Sequence, residues 1–170
     1  MNIPLKQIKI IEEITKMPFT SMLYDPNIPA EKRYHCTPRR VEIRDGRIIS
    51  LDISGLGLNY IQDDISEFKD LAELNVGYNN LIELNDPILR LSNLRKIQAE
   101  GNRLRSLPNE IGLLNSLESL FLANNCIGKI PRSLLKLRNL KRIDLSGNIM
   151  DCEEYHFIDL LRSMNISVSR

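Results

Sequence analysis

One spacing governs this sequence. From residue 48 onward the same arrangement of apolar residues returns every 23 positions, most plainly in LRKIQAEGNRLRSLPNEIGLLNS at 94–116. On this frame the first position holds Ile48, Leu71, Leu94, Leu117 and Leu140, and the fourth holds Leu51, Leu74, Ile97, Leu120 and Ile143. The sixth holds Ile53, Val76, Ala99, Leu122 and Leu145, and the eleventh Leu58, Leu81, Leu104, Ile127 and Met150. The ninth is polar in all units but the first: Leu56, then Asn79, Asn102, Asn125 and Asn148. Complete units span 48–70, 71–93, 94–116 and 117–139, and a partial one spans 140–150. No single helical or strand period covers such a unit. Each must be one turn of a stack that buries its apolar side against its neighbours.

Alternation of the fourth and sixth positions is the period-2 signature of a short strand with both side chains inward. The spacing predicts strands centred near residues 51–53, 74–76, 97–99, 120–122 and 143–145. The ninth-position asparagine falls where the chain leaves the strand, and its amide can both donate to and accept from backbone groups the turn leaves unpaired. Leu56 cannot do this, so the first turn should be looser or helped by the preceding segment. Pro87, Pro108 and Pro131 interrupt the return path, favouring extended or short 3₁₀-like pieces over long helices.

At these residues the chain resembles the leucine-rich repeat family in its 23-residue form, L-x-x-L-x-L-x-x-N-x-L. The resemblance implies an α/β solenoid, a curved parallel sheet of about five strands with binding on its concave face. Its L-P-x-x-I unit is similar to repeats of intracellular Ras-pathway scaffolds and of the leucine-rich arm of cytoplasmic deadenylases. The second likeness is expected to cover only the arm and no nuclease domain.

An open stack needs cover at both ends. Residues 1–47 read as a helix, an irregular arm and a capping strand. Leu5, Ile8, Ile11, Ile14 and Met17 form one helical stripe over 5–17, and four prolines interrupt the arm at 17–38. Val41 and Ile43 alternate before Asp45-Gly46, a hairpin signal that lays a strand at 40–44 along the first repeat's edge. Residues 151–170 read as a C-terminal cap: a helix with Tyr155, Ile158, Leu161 and Phe157 on one face, then NISV as a last strand.

Catalytic chemistry has little to build on. The chain has 2 histidines, His35 and His156, far apart in the stack. Cys152 and His156 share a spacing but lack further ligands, so no metal and no cofactor is expected. Asp63-Asp64 and Glu153-Glu154 read as solvated turns or helix starts. GLGL at 55–58 lacks the Lys-Ser or Lys-Thr of a phosphate loop. The 3 cysteines are an odd number for a disulfide-stapled domain; Cys36 and Cys152 lie at opposite ends, and only Cys126 and Cys152 could approach. With no secretory h-region and no long apolar run, the expectation is a monomeric protein of the cytoplasm, with the nucleus as alternative.

What remains is surface. Outward positions of the concave face carry two aromatics, Tyr78 and Phe121, among small and polar residues. Phe121 lies between inward Leu120 and Leu122, and with Lys96, Gln98 and Arg142 around it has the composition of an interface anchor. Charge is segregated. Residues 48–93 hold eight acids and two bases, while residues 94–143 hold ten bases and three acids. The basic block includes Lys129, Arg132, Lys136, Arg138 and Lys141. The reading is a non-enzymatic protein-interaction module or scaffold subunit binding through its concave face at Tyr78, Lys96, Gln98, Phe121 and Arg142. The alternative is a structural subunit of a ribonucleoprotein whose basic half, residues 95–142, contacts RNA phosphates.

Overall fold

The computed structural model describes residues 3–16 and 41–170. The irregular arm expected at 17–38, with Met17, His35 and Cys36, and the first residue of the expected strand, Arg40, lie outside the described residues.

Seven strands form one sheet in chain order: β1 (Val41–Arg44), β2 (Arg47–Asp52), β3 (Glu73–Asn75), β4 (Lys96–Gln98), β5 (Ser119–Phe121), β6 (Arg142–Asp144) and β7 (Ser167–Ser169). From β2 onward every pairing is parallel, and Leu51, Leu74, Ile97, Leu120 and Ile143 stand in one register row that ends on Val168. The stack thus has six parallel strands, one more than the 23-residue pattern predicts. β7 comes from the NISV segment and follows a helix where earlier units have short turns.

The strands sit slightly earlier than expected. Sixth-position Ile53, Val76, Ala99 and Leu122 fall just past the strand ends, yet are fully buried. Their N–H groups still bond forward, as in Val76 N to Gln98 O and Ala99 N to Phe121 O, both 2.8 Å. The alternation therefore reports inward pointing correctly while the regular ladder stops one residue sooner.

The hairpin forms as the Asp-Gly signal predicts. Asp45 (φ 51°) and Gly46 (φ 75°) make the turn, and β1 runs antiparallel to β2 with a bulge between Glu42 and Ile43. Val41 is buried while Ile43 is only partly so. The opposite side of the stack is built from 3₁₀ turns at Asp63–Glu67, Asn109–Leu113 and Arg132–Lys136, and from α2 (Asp86–Leu89). Pro108 and Pro131 start two of those turns and Pro87 sits in the first turn of α2, where a missing N–H costs nothing.

Two longer helices depart from the expected faces. α1 (Leu5–Thr15) buries Ile10, Ile11, Ile14 and Thr15, leaving Leu5 75 % exposed and Ile8 partly buried. The stripe is rotated toward Ile10 because α1 docks on the Asp63–Glu67 turn, with Gln7 Nε2 donating to Glu67 O at 3.0 Å. Lys16, in the left-handed region, ends it. α3 (Glu154–Ser163) buries Glu154, Phe157, Ile158 and Leu161, whereas Tyr155 is 43 % exposed.

Glu154 is not the solvated residue the sequence suggests. Its carboxylate accepts from Ile130 N–H at 3.3 Å and from Arg132 Nη1 at 2.9 Å, with the Arg132 guanidinium 4.1 Å from the Phe157 ring. One buried acid thus ties α3 to the last complete repeat.

The asparagines form a continuous internal ladder. Asn102 Oδ1 accepts from Leu81 N–H at 3.0 Å, and its Nδ2 donates to Val76 O at 3.0 Å and Ala99 O at 3.1 Å. Asn79, Asn125 and Asn148 repeat this geometry one unit earlier or later. Each carboxamide closes its own turn and joins it to the turn before. Among the described residues the first unit has no earlier turn to join, which is why Leu56 costs it little: Leu56 N–H itself is met by Asn79 Oδ1 at 2.9 Å, and the Leu56 side chain packs on the core.

Candidate interaction surface

The outward third and fifth positions of β2–β7 form one face of the sheet. Register pairing sets Lys96, Ser119 and Arg142 in one row and Gln98, Phe121 and Asp144 in the next. Phe121 is therefore flanked diagonally by two cations. Lys96 Nζ lies 5.8 Å from the ring centroid and the Arg142 guanidinium carbon 5.2 Å. These distances suit attraction between a cation and the negative face of a ring. They also leave Phe121 half-buried and not open to solvent as the alternation alone suggests.

The cations differ. Lys96 is 3.8 Å from Glu73, whereas Arg142 is exposed and makes no ion pair among the described residues. Gln98 is half-buried beside Phe121. The other fifth-position residues are occupied in local turns: Asp52, Asn75 and Asp144 accept the N–H groups of Ser54, Gly77 and Ser146 at 2.9–3.0 Å.

Tyr78 stands toward the strand exit and is 66 % exposed. It adopts φ 54°, and its ring covers Gly101 so closely that a Cβ on Gly101 would lie 2.7 Å from Cδ1. Beside it is a feature the sequence reading did not single out. Glu100 Oε2 is shielded from solvent without a hydrogen-bond partner among the described residues. A carboxylate at the seventh position looks like any solvated acid in sequence. Only Asn75 and Gly77 in the adjacent unit, close to Glu100 in space, reveal the difference.

The basic residues do not gather on one face. Arg132 is engaged by Glu154, Lys129 lies 3.8 Å from Asp151, and Lys141 donates to Glu118 at 2.6 Å. That hydrogen bond, the Lys141 charge and then Arg95 hold the Glu118 carboxyl below the usual carboxylate range. Lys136 and Arg138 are exposed and make no ion pair among the described residues. Arg142 is on the sheet face beside Phe121, away from the 3₁₀ turn that carries Arg132 and Lys136.

Cys126 and Cys152 are exposed free thiols. His156 is exposed on α3, and Cys152 precedes that helix instead of sharing a face with it. Among the described residues no group of three or more His, Cys, Asp or Glu is arranged to hold a metal. No described helix is long and apolar enough to cross a membrane.

A short-strand solenoid with a parallel sheet, an internal asparagine ladder and one open sheet face defines a repeat protein. The comparisons specify the kind. A family model described as leucine rich repeat matches residues 92–150. No curated protein matches the chain. Among solved structures, a leucine-rich repeat protein of Leptospira interrogans is similar at 30 % identity and TM-score 0.62, over 66 % of this chain and 28 % of its own. The leucine-rich repeat ectodomain of an Arabidopsis thaliana receptor kinase superposes with TM-score 0.64 at 20 % identity, over 99 % of this chain and 93 % of its own. An internalin of Listeria monocytogenes gives TM-score 0.57 at 22 % identity, over 71 % of this chain and 34 % of its own. The chain has the fold of a leucine-rich repeat solenoid, and residues 92–150 match that family. It spans less than a third of the Leptospira protein, and the likeness to the other two is one of fold. Leucine-rich repeat domains are generally protein-interaction modules and generally not enzymes.

Proposed function

We propose that this chain binds another protein through the concave sheet face, with Phe121 as anchor and Lys96 and Arg142 as its flanks. The observation that carries this reading is the placement of Arg142. Its guanidinium lies 5.2 Å from the Phe121 ring centroid, exposed and without a carboxylate of its own among the described residues. Aromatic side chains and arginine are over-represented in protein interfaces, and arginine is among the residues that most often dominate their energetics. Gln98 adds an adaptable donor and acceptor, and Tyr78 a second exposed aromatic toward the strand exit. The scaffold or adaptor role, in the cytoplasm or nucleus, follows as part of the same reading.

The test is capture of partners from native lysate by the full chain and three variants, with and without nuclease. Phe121→Ala and Arg142→Gln should each lose the captured protein, whereas charge reversal of Lys136 and Arg138 should retain it. Titration with the purified partner should show Phe121→Ala weaker by roughly 1–4 kcal/mol, the range of a buried anchor, with only modest salt dependence. Capture that vanishes with nuclease and with the Lys136 and Arg138 reversals, yet survives Phe121→Ala, would replace this reading with the RNA-contacting one, whose affinity falls steeply with salt.

A further inference from the structure

Beyond the asparagines, where the chain leaves the sheet, the inner units build a second exposed surface. Eleventh-position Leu81, Leu104 and Ile127 are fully buried there. The units stack through backbone bonds, Arg103 N to Leu81 O and Cys126 N to Leu104 O at 2.9 Å each, and Arg105 N to Ile82 O at 3.3 Å. A parallel bridge between Ser106 and Lys129 continues this side of the stack. Extended backbone with its eleventh residue inward turns the tenth and the twelfth outward. In the three inner units the tenth residues are Asn80, Arg103 and Cys126, and the twelfth Ile82, Arg105 and Gly128.

Arg103 and Arg105 are both exposed, and neither makes an ion pair among the described residues. In the same half of the chain Arg95, Lys96, Lys129, Arg132 and Lys141 each have a carboxylate within 3.8 Å. Two residues apart on an extended segment, the arginines stand about 7 Å from one another on one face. Ile82, one unit before Arg105, is 56 % exposed, and Gly128, one unit after it, adds no side chain. The basic surface is short. Toward the front, exposed Glu83 follows Ile82; toward the rear, Asp151 stands 3.8 Å from Lys129. The units of Glu83 and Asp151 are three steps apart, roughly 14 Å. A nucleic-acid strand, charged at every nucleotide, would carry its phosphates onto one acid or the other. A polypeptide can place one or two carboxylates between them and be neutral on either side.

We propose that this surface docks a short acidic segment of another protein, its carboxylates on Arg103 and Arg105 and an apolar side chain on Ile82. Each guanidinium presents a planar fork of N–H donors that matches the two oxygens of a carboxylate. Ile82, already exposed beside the arginines, gives the segment an apolar contact that a purely electrostatic site would lack. The proposal is independent of the concave-face reading, because it uses the tenth and twelfth positions and none of the outward strand residues.

The experiment is an NMR titration of the isotope-labelled full chain with the capped heptapeptide Ser-Leu-Ser-Glu-Ser-Glu-Ser. One control peptide has glutamine in place of both glutamates, and a second has serine in place of leucine. The acidic peptide should shift the Ile82, Arg103 and Arg105 amides in a saturable way. Both controls should bind more weakly, the glutamine one about tenfold, the loss expected when charge-assisted hydrogen bonds become neutral ones. Arg103→Gln combined with Arg105→Gln should abolish the shift at Ile82, while Phe121→Ala leaves it unchanged. Equal affinity of the acidic peptide and either control, absence of shifts at these amides, or loss of binding in Phe121→Ala overturns the proposal. Tighter binding of a uridine octanucleotide at the same amides would make the occupant a nucleic acid, and overturns it too.

Discussion

At the eighth position of every unit, Gly55, Tyr78, Gly101, Asn124 and Gly147, the backbone is left-handed, with φ between 54° and 69°. The sequence reading took this column as outward strand residues, because alternation was carried past the point where the strand ends. A left-handed turn leaves no mark on hydrophobic periodicity. The signal that could have shown it was the glycine in three of five units. Two of those glycines make a controlled comparison. A Cβ at Gly55 would meet nothing within 4 Å, whereas at Gly101 it would meet the Tyr78 ring at 2.7 Å. Gly55→Ala should therefore lose only the backbone term, roughly 1–2 kcal/mol. Gly101→Ala should lose more, and adding Tyr78→Ala should recover the excess. Urea unfolding of these three variants, with Tyr78→Ala alone as reference, measures this; equal losses at the two glycines would mean that the Tyr78 ring moves aside freely.

Elements were legible to different degrees, and the reason is physical. Strands show themselves because inward and outward residues alternate against one continuous core; Leu74, Ile97 and Leu120 fall in register as the spacing requires. A helix gives a stripe, but which edge of the stripe is buried depends on the partner it meets. So α1 turned toward Ile10, and α3 buried Glu154 in place of Tyr155 beside the expected Phe157, Ile158 and Leu161. Glu154 escaped notice because its partners, Ile130 N–H and Arg132, are 24 and 22 residues away. Its removal has a directional consequence. Glu154→Ala leaves a buried N–H without an acceptor, which costs roughly 1–3 kcal/mol. The Arg132 contribution is smaller, since that side chain is 55 % exposed. The loss should fall on the docking of α3, so amide exchange within Glu154–Ser163 should quicken while that of β3 and β4 stays unchanged. An equal rise in exchange through the whole sheet would show that α3 does not open separately.

At the scale of the molecule, stability is distributed along a line. One core runs from Ile10 to Val168, but each unit bonds mainly to the units beside it. The three inner turns are held from both sides: each has its own asparagine and receives the next one, as Val76 O does from Asn79 and Asn102. The last turn has only Asn148, and β7 borders the sheet with three residues. The first turn lacks its own asparagine but gains Asn79 from behind, the β1 strand beside β2, and α1 on its 3₁₀ turn. The two ends should therefore open unequally, the β7 end first. Native-state exchange in low urea would read this directly. The Val76, Ala99 and Leu122 amides, each bonded forward at 2.8 Å, should exchange only by global unfolding and show its full urea dependence. The Leu145 and Ser167 amides, bonded across the β6–β7 boundary, should exchange through a smaller opening with a shallow urea slope. Ile53 should fall between the two groups. Identical slopes at Leu145 and Ala99 would show the stack unfolding as one cooperative unit.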